Sequence, residues 1–427
     1  MIPAIGFISW IPQLMRRTDM KVLWICRVLP EGAGKLFGIP EEYNAGWLNG
    51  PLARLSGDDE IQLSYLVLRE HKPYHLETHE QNGIRFVLAD YSSASDLESF
   101  FREEDFDVYH VYGIEHSYLK DLIPFLPSEK TLYYIQGLAG EYYQHYFGSF
   151  NELYSPGILL RILMQINAEG LRRNAENERE ILSSCHYVTG RTEFDHAAVL
   201  KAGFHGTYFP MNESLRKEFY RAEKWNFSRM QSHSIFVSQS NYPIKGTYYI
   251  IEAVRILKQK YPDVVCEIGG ENILNSQGIA SRLGINYASF IRKLIHQYGL
   301  EEQIRFVGGL DAAQMIHHYQ QANVYLLAST IENSPNSLQE AMFLGTPSVS
   351  SYVGGVGSLV DSMDQCLLYP YDDIAQCAYS IARIFDSKEL AERLSLQGSS
   401  RMSELVDVSK NVATLKQIYH RMTDSAS

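Results

Sequence analysis

Ile331-Glu332-Asn333-Ser334-Pro335-Asn336-Ser337-Leu338-Gln339-Glu340 is the stretch that decides the fold of this chain. It follows the apolar run Val324-Tyr325-Leu326-Leu327, which reads as a buried strand. Behind it comes AMFLGTPSVSSYVGGVG, where a helical pattern stops at Gly345 and a second strand runs into Gly354-Gly355. Strand, polar loop, helix, strand and glycine loop make half of an α/β unit. Such sheets bind ligands beyond the C-terminal ends of their strands, and here Glu332 and Glu340 stand eight residues apart in that region. Two carboxylates can accept hydrogen bonds from vicinal hydroxyls. A helix opening near Ser337 would present unpaired N–H groups and a positive dipole end. The bland alternative is a surface loop in which Ser334 or Asn336 caps the helix and Glu340 is solvated.

A second segment points the same way. Ser234-Ile235-Phe236-Val237-Ser238 runs into QSNYPIKGTYYIIEAVRILKQKYP, with apolar residues at helical spacing from Tyr248 to Leu257. Lys245-Gly246 sits in the turn between, and a lysine there is a point charge aimed at an anion, unless it is merely solvated. The strand Val264 to Ile268 closes on Gly269-Gly270, and Phe306-Val307 closes on Gly308-Gly309 before Asp311 caps a helix. In the front half, Met20 to Cys26, Asp107 to Tyr112, Thr131 to Ile135 and Tyr187 to Thr189 read as further strands. Gly46 precedes a helical pattern and is a candidate for a tight turn. His116 offers a polar contact or a structural histidine. Arg191 follows a strand and suits an anion, or a salt bridge with Glu193 or Asp195.

In sequence order, Lys245-Gly246, the glycine pairs and Glu332/Glu340 resemble the Glu-x7-Glu signature of retaining GT4-type glycosyltransferases. The ENSPNS loop and the GRTEFD segment resemble the subgroup that builds bacterial surface polysaccharides. The resemblance implies a GT-B fold, two Rossmann-like domains facing each other across a cleft. It implies an acceptor-side domain over 20–211, a nucleotide-sugar domain over 232–407, and a final helix over 408–422 that packs back on the first. By the same resemblance Lys245 would hold the leaving diphosphate, Glu332 the donor sugar and Glu340 the ribose. Asn333, Ser334 and Pro335 would line the sugar by their backbone, and the turns at Gly270, Gly308 and Gly309 would meet the nucleotide. Gly46, Gln136, Arg191 and His116 would complete the site from the first domain. The chain departs from the family's pattern at Ser240, Gln136 and Ser358, where an arginine, a histidine and a glutamate are usual. The missing arginine leaves open what completes the phosphate clamp. The implied donor is a nucleotide diphosphate-sugar, with no cofactor and no metal. The acceptor would be a glycan or a lipid-linked species. The rival readings are a non-catalytic paralogue that binds a nucleotide-sugar and a GT-B nucleotide-sugar epimerase.

Length and composition bound these readings. A chain of 427 residues suits two domains of roughly 200, joined across the polar stretch Asn212 to Gln231. Strands alternating with helical patterns predict two parallel α/β sheets. A net charge of −12 argues against a nucleic-acid partner. Cys26, Cys185, Cys266, Cys366 and Cys377 show no metal or redox spacing and read as reduced core residues of a cytoplasmic protein. No run of about eighteen apolar residues occurs. Residues 1–19 read as an upstream extension or a short anchor, since they lack the order of a signal peptide. The apolar helix from Gly157 to Ile166, with Arg172-Arg173 beyond it, is the candidate for peripheral contact with the inner membrane leaflet, a buried core helix being the alternative.

Overall fold

The central strands of both halves are apolar without alternation, as in the buried run Val108-Tyr109-His110-Val111-Tyr112, which demands cover on both faces and so a parallel sheet. The computed structural model describes residues 20–40, 46–69, 76–91, 94–116, 118–148, 158–275 and 286–426. The extension 1–19 and Gly157 lie outside them. The first sheet is built from β1 (Met20–Cys26), β2 (Ile61–Arg69), β3 (Glu77–Gln81), β4 (Ile84–Asp90), β5 (Val108–Tyr112), β6 (Thr131–Tyr134), β7 (Tyr187–Gly190) and β8 (Thr207–Pro210). Their order is β3-β4-β2-β1-β5-β6-β7-β8, parallel throughout except for the antiparallel hairpin β3–β4. The second sheet contains β9 (Ser234–Val237), β10 (Val265–Gly269), β11 (Ile304–Gly308), β12 (Val324–Leu327), β13 (Ser348–Ser351) and β14 (Leu367–Tyr369). Its order, β11-β10-β9-β12-β13-β14, is the doubly wound arrangement in which the winding reverses between β9 and β12. The expected architecture of two Rossmann-like domains is therefore present.

The helix Thr247–Lys258 shows how sequence makes these layers. Ile250, Ile251, Ala253, Val254 and Leu257 are all buried against the second sheet, each large one worth about 1.5–3 kcal/mol of transfer from water. The stretch 212–231 is no free linker. Leu215, Phe219 and Trp225 bury themselves, and Trp225 Nε1 donates to the Ala322 carbonyl at 2.8 Å. Three apolar anchors among charged neighbours were enough to fasten a segment whose composition reads as polar. The last helix, Val408–Ala426, returns to the first domain, where Val412, Leu415, Ile418 and Met422 join the core around β1. The Tyr419 hydroxyl accepts from Trp24 Nε1 at 2.8 Å and bonds to His110 Nδ1 at 2.7 Å. Burial pushes the His110 imidazole down to about 3.

In the long helix Ile158–Ser184, Ile162 and Ile166 are exposed. Arg172 is paired with Glu169 and Glu176, so its charge is matched within the helix. All five cysteines are free, four of them buried. Among the described residues no helix is long and apolar enough to cross a membrane.

Candidate active site

Lys245 follows β9 and Glu332 follows β12, the two strands that flank the reversal point of the second sheet. A cavity of about 490 Å³ opens there, within the range of ligand sites. Gln136 and Arg191 line it from the first domain, and Lys245, Glu332, Asn333, Ser334 and Pro335 from the second. Lys245 Nζ donates to Glu332 Oε1 at 2.5 Å, with 18% and 7% of the two side chains exposed. Burial works against the lysine's charge, yet Glu332 and nearby Tyr242 hold its pKa above the ordinary value. Ser329 Oγ also donates to Glu332 Oε1, at 2.7 Å.

Backbone geometry forces the loops into place. Gly246 has φ +74°, and a Cβ there would lie 1.9 Å from the Ala328 carbonyl oxygen. A Cβ on Gly355 would fall 1.7 Å from the Asn333 carbonyl oxygen, and Gly355 N donates to Glu332 O at 2.9 Å. The Gly354-Gly355 pair thus packs directly under the Glu332-Asn333 backbone. The helix Asn336–Leu344 starts after Pro335 with no side-chain cap, which rules out the capping roles for Ser334 and Asn336. Both accept instead from Gln339 Nε2, at 3.2 and 3.3 Å. The first N–H groups of this helix have no side-chain acceptor, and the start of the helix lines the cavity.

The first domain closes the cavity along a polar seam. Asn333 Nδ2 donates to the Gln136 carbonyl at 2.9 Å, and Tyr142 donates to Asn333 Oδ1 at 3.0 Å. Thr192 Oγ1 donates to the Asn333 carbonyl at 3.2 Å, and Glu193 N donates to Ser358 Oγ at 3.0 Å. Ser358, where a glutamate is usual, is therefore a seam residue. Arg191 pairs with Glu213 at 2.6 Å, not with Glu193 or Asp195, and donates to the Gln136 carbonyl at 3.1 Å and to Asn336 Oδ1 at 3.4 Å. Asp195 instead accepts from the backbone N–H groups of Arg191 and Thr192.

Other expected residues stand apart from the cavity wall. Glu340 faces Arg216, with the pair at 2.8 Å, and accepts from the Tyr319 hydroxyl at 3.3 Å. Burial pushes its carboxyl above the usual range, while Arg216 and Tyr319 pull it back. Gly46 begins the helix Gly46–Leu55, and a Cβ there would lie 2.2 Å from Arg216 Cγ. The space its missing side chain leaves is filled by the arginine's stem. Gly270 N donates to the Gly308 carbonyl at 2.8 Å, and both adopt positive φ. Neither glycine, nor Gly309, is in the lining, which on that side is made by Leu310 and Met315. His116 is outside the lining too. Its Nε2 lies 3.6 Å from Glu115 and its Nδ1 3.4 Å from Arg27. Burial and Arg27 push its pKa down to about 4, and burial pushes the Glu115 carboxyl up to about 7.

Sequence reasoning did not find Trp47, Glu213, Arg216, Gln239 or Asn336, all of which line the cavity. The signal for Arg216 was available: with Ser240 in the usual arginine's place, each cation near the domain junction was a candidate. Ser240 itself is buried, its hydroxyl 2.6 Å from Thr247 Oγ1. Among the described residues no group of three or more His, Cys, Asp or Glu side chains could hold a metal ion.

Two Rossmann-like domains with a polar cleft between them, the second one carrying a lysine and a carboxylate at its reversal point, define a GT-B-type protein. Residues 221–401 match the family described as glycosyl transferases group 1. Over 154 residues the chain is 32% identical to WcaL of Escherichia coli K12, whose name assigns it to colanic acid biosynthesis as a glycosyltransferase; the match covers 33% of this chain and 37% of WcaL. A glycogen synthase of Mycobacterium tuberculosis is 25% identical over 203 residues, 46% of each chain. The chain thus spans between about a third and a half of the curated relatives it matches. The fold likeness is wider. Sucrose-phosphate synthase of Thermosynechococcus elongatus superimposes with a TM-score of 0.67 at 17% identity, over 96% of this chain and 100% of that one. HepE of Anabaena in complex with UDP-glucose gives 0.62 at 14% identity, over 94% and 100%.

Proposed function

We propose that the protein is a retaining, metal-independent glycosyltransferase of the GT4 type. It moves a sugar from a nucleotide diphosphate-sugar to a hydroxyl of a glycan or lipid-linked acceptor in bacterial surface-polysaccharide assembly. The observation that carries the reading is the Lys245–Glu332 pair beside an uncapped helix start in one cavity. Lys245 and the N–H groups of the helix Asn336–Leu344 stabilise the departing diphosphate, and such stabilisation of developing charge is often the largest catalytic contribution. Glu332 orients the sugar, and Asn333, Ser334 and Pro335 line it. A donor phosphate oxygen takes the proton of the incoming hydroxyl, so no protein nucleophile is needed. The protein works on the cytoplasmic side and reaches lipid-linked acceptors through peripheral contact, for which the exposed Ile162 and Ile166 are the candidate surface.

The test is a donor screen with UDP-, GDP-, dTDP- and ADP-sugars, reading release of nucleoside diphosphate with and without a membrane-lipid extract. One donor should be consumed, faster with extract, unaffected by a chelator, and not at all by Glu332→Ala. Lys245→Ala should slow turnover roughly a hundredfold or more, by analogy with lost oxyanion donors. Binding without turnover would promote the second reading, a non-catalytic nucleotide-sugar-binding paralogue, which the sequestered hydroxyl of Ser240 favours.

A further inference from the structure

We infer that Arg216, on the segment joining the two domains, is the second cation of the diphosphate site, and that Glu340 holds it until the nucleotide's ribose takes its place. The inference rests on the donor reading above. Among the described residues, three positive side chains line the cavity: Arg191, Arg216 and Lys245. Arg191 is fixed by Glu213, the Gln136 carbonyl and Asn336, with 6% of its side chain exposed. Lys245 is joined to Glu332. Ser240 contributes no charge and its hydroxyl is occupied by Thr247. Arg216 keeps 21% of its side chain exposed, the largest share of the three.

The geometry around Arg216 is that of an arm with one grip. Its stem lies over the bare Cα of Gly46, and its guanidinium lies over the Phe219 ring at 4.8 Å. The ring supports one face of the guanidinium, and neither contact takes up one of its N–H groups. The head is held by a single oxygen: Nε and NH2 both reach Glu340 Oε1, at 2.9 and 2.8 Å. Tyr319 donates to the other oxygen. A carboxylate offers about four lone-pair sites, and three are engaged. A ribose diol brings two donors, so it cannot seat fully on Glu340 while both arginine bonds persist. Each bond it displaces frees a guanidinium N–H inside the cavity that Lys245 and the helix start also line, where a diphosphate offers paired oxygens that match the arginine fork. Ribose and diphosphate belong to one ligand, so the arginine finds a new anion while the carboxylate keeps hydrogen-bond donors.

Calorimetric titration of the full chain tests this. UDP, GDP, ADP and dTDP are titrated first to find the diphosphate that binds, followed by the matching monophosphate and inorganic pyrophosphate. Arg216→Gln should weaken the diphosphate about tenfold or more, the weight of one charge-assisted contact, and the monophosphate by less than about threefold. Glu340→Gln should tighten pyrophosphate several-fold, because it releases the arginine without removing it. Lys217→Gln, which removes a neighbouring exposed charge paired with Glu31, should change neither. Equal weakening of diphosphate and monophosphate in Arg216→Gln, or unchanged pyrophosphate affinity in Glu340→Gln, would make the pair purely structural and overturn the inference. If Arg216→Gln does not fold, the Glu340→Gln arm decides alone. If none of the four diphosphates binds the wild-type chain, the donor reading fails and takes this inference with it. If one binds and only these variants disagree, the assignment of Arg216 alone is lost.

Discussion

Replacing Lys245 by methionine isolates what the cleft's ion pair does for the fold. The substitution keeps the length of the side chain and removes its charge, leaving the Glu332 carboxylate with the Ser329 hydroxyl as its side-chain partner. Breaking a buried pair from one side costs about 3–5 kcal/mol. With 18% of Lys245 exposed and the Ser329 bond intact, the low end applies, about 3 kcal/mol. The double variant Lys245→Met/Glu332→Gln has no stranded charge and should return to within about 1 kcal/mol of wild type, far less than the sum of the two single losses. Urea unfolding of the wild type, both single variants and the double variant gives this cycle, with the buried indole of Trp225 reporting on the second domain. The double variant should be stable and inactive, which separates folding from chemistry. A loss below about 0.5 kcal/mol in Lys245→Met, as for exposed pairs, would mean the pair is effectively solvated and the electrostatic account of the site is wrong.

Gly355→Ala should destabilise the second domain by about 2–4 kcal/mol and abolish donor binding, because the new methyl would meet the Asn333 carbonyl at 1.7 Å and Thr192 at 2.7 Å; melting and titration measure the two effects. Asn333→Ala removes the bonds to Tyr142 and the Gln136 carbonyl, worth about 1–2 kcal/mol together, and small-angle scattering should record a larger radius of gyration as the seam opens. Glu115 supplies a pH signature. Its folded-state pKa is raised from 4.5 to about 7, so the folded state binds the extra proton and stability falls as pH rises through that window. At 1.36 kcal/mol per unit the loss is about 3 kcal/mol. His116, lowered from 6.5 to about 4, acts in the opposite sense below pH 6.5. The clean readout is therefore the difference between Glu115→Gln and wild type, which should grow in the variant's favour from pH 5 to pH 8; a flat difference would show that the carboxyl is not desolvated.

The parts of this molecule legible in the sequence are those set by neighbours along the chain. The Thr247–Lys258 helix has its apolar period, Asp311 has its capping box with Gln314, and each strand that ends in glycine is short and continuous. The parts that escaped depend on distant partners. β3, Glu-Thr-His-Glu-Gln, is exposed at every position, so it has no apolar pattern and exists only because β4 pairs with it. Arg191 was read against Glu193 and Asp195, its near neighbours, but its partner Glu213 lies 22 residues away on the segment that follows β8. Arg216 stood in a stretch whose charge suggested solvent. Glu340 was given the ribose by resemblance to the Glu-x7-Glu signature, which carries no sign of Arg216, the partner that meets it across 124 residues of chain.

What comes to meet Glu332 and Glu213 in the cavity wall, and Glu340 behind it, is in each case a cation of the chain itself. Glu332 holds Lys245, Glu340 holds Arg216 and Glu213 holds Arg191, so no carboxylate of the three waits uncompensated in a desolvated space, where an unpaired charge would be costly. The consequence for binding is that a charged ligand does not fall into a field of free charges. It must exchange partners, setting its phosphate oxygens against the cations and its hydroxyls against the carboxylates at the same time. A nucleotide diphosphate-sugar carries both kinds of group, whereas a nucleoside brings only hydroxyls and inorganic phosphate only oxygens. Either fragment alone would satisfy one half of each pair and strand the other. Affinity for the whole donor should therefore exceed what the fragments predict separately, and the selectivity would come from the pairing already built into the cleft.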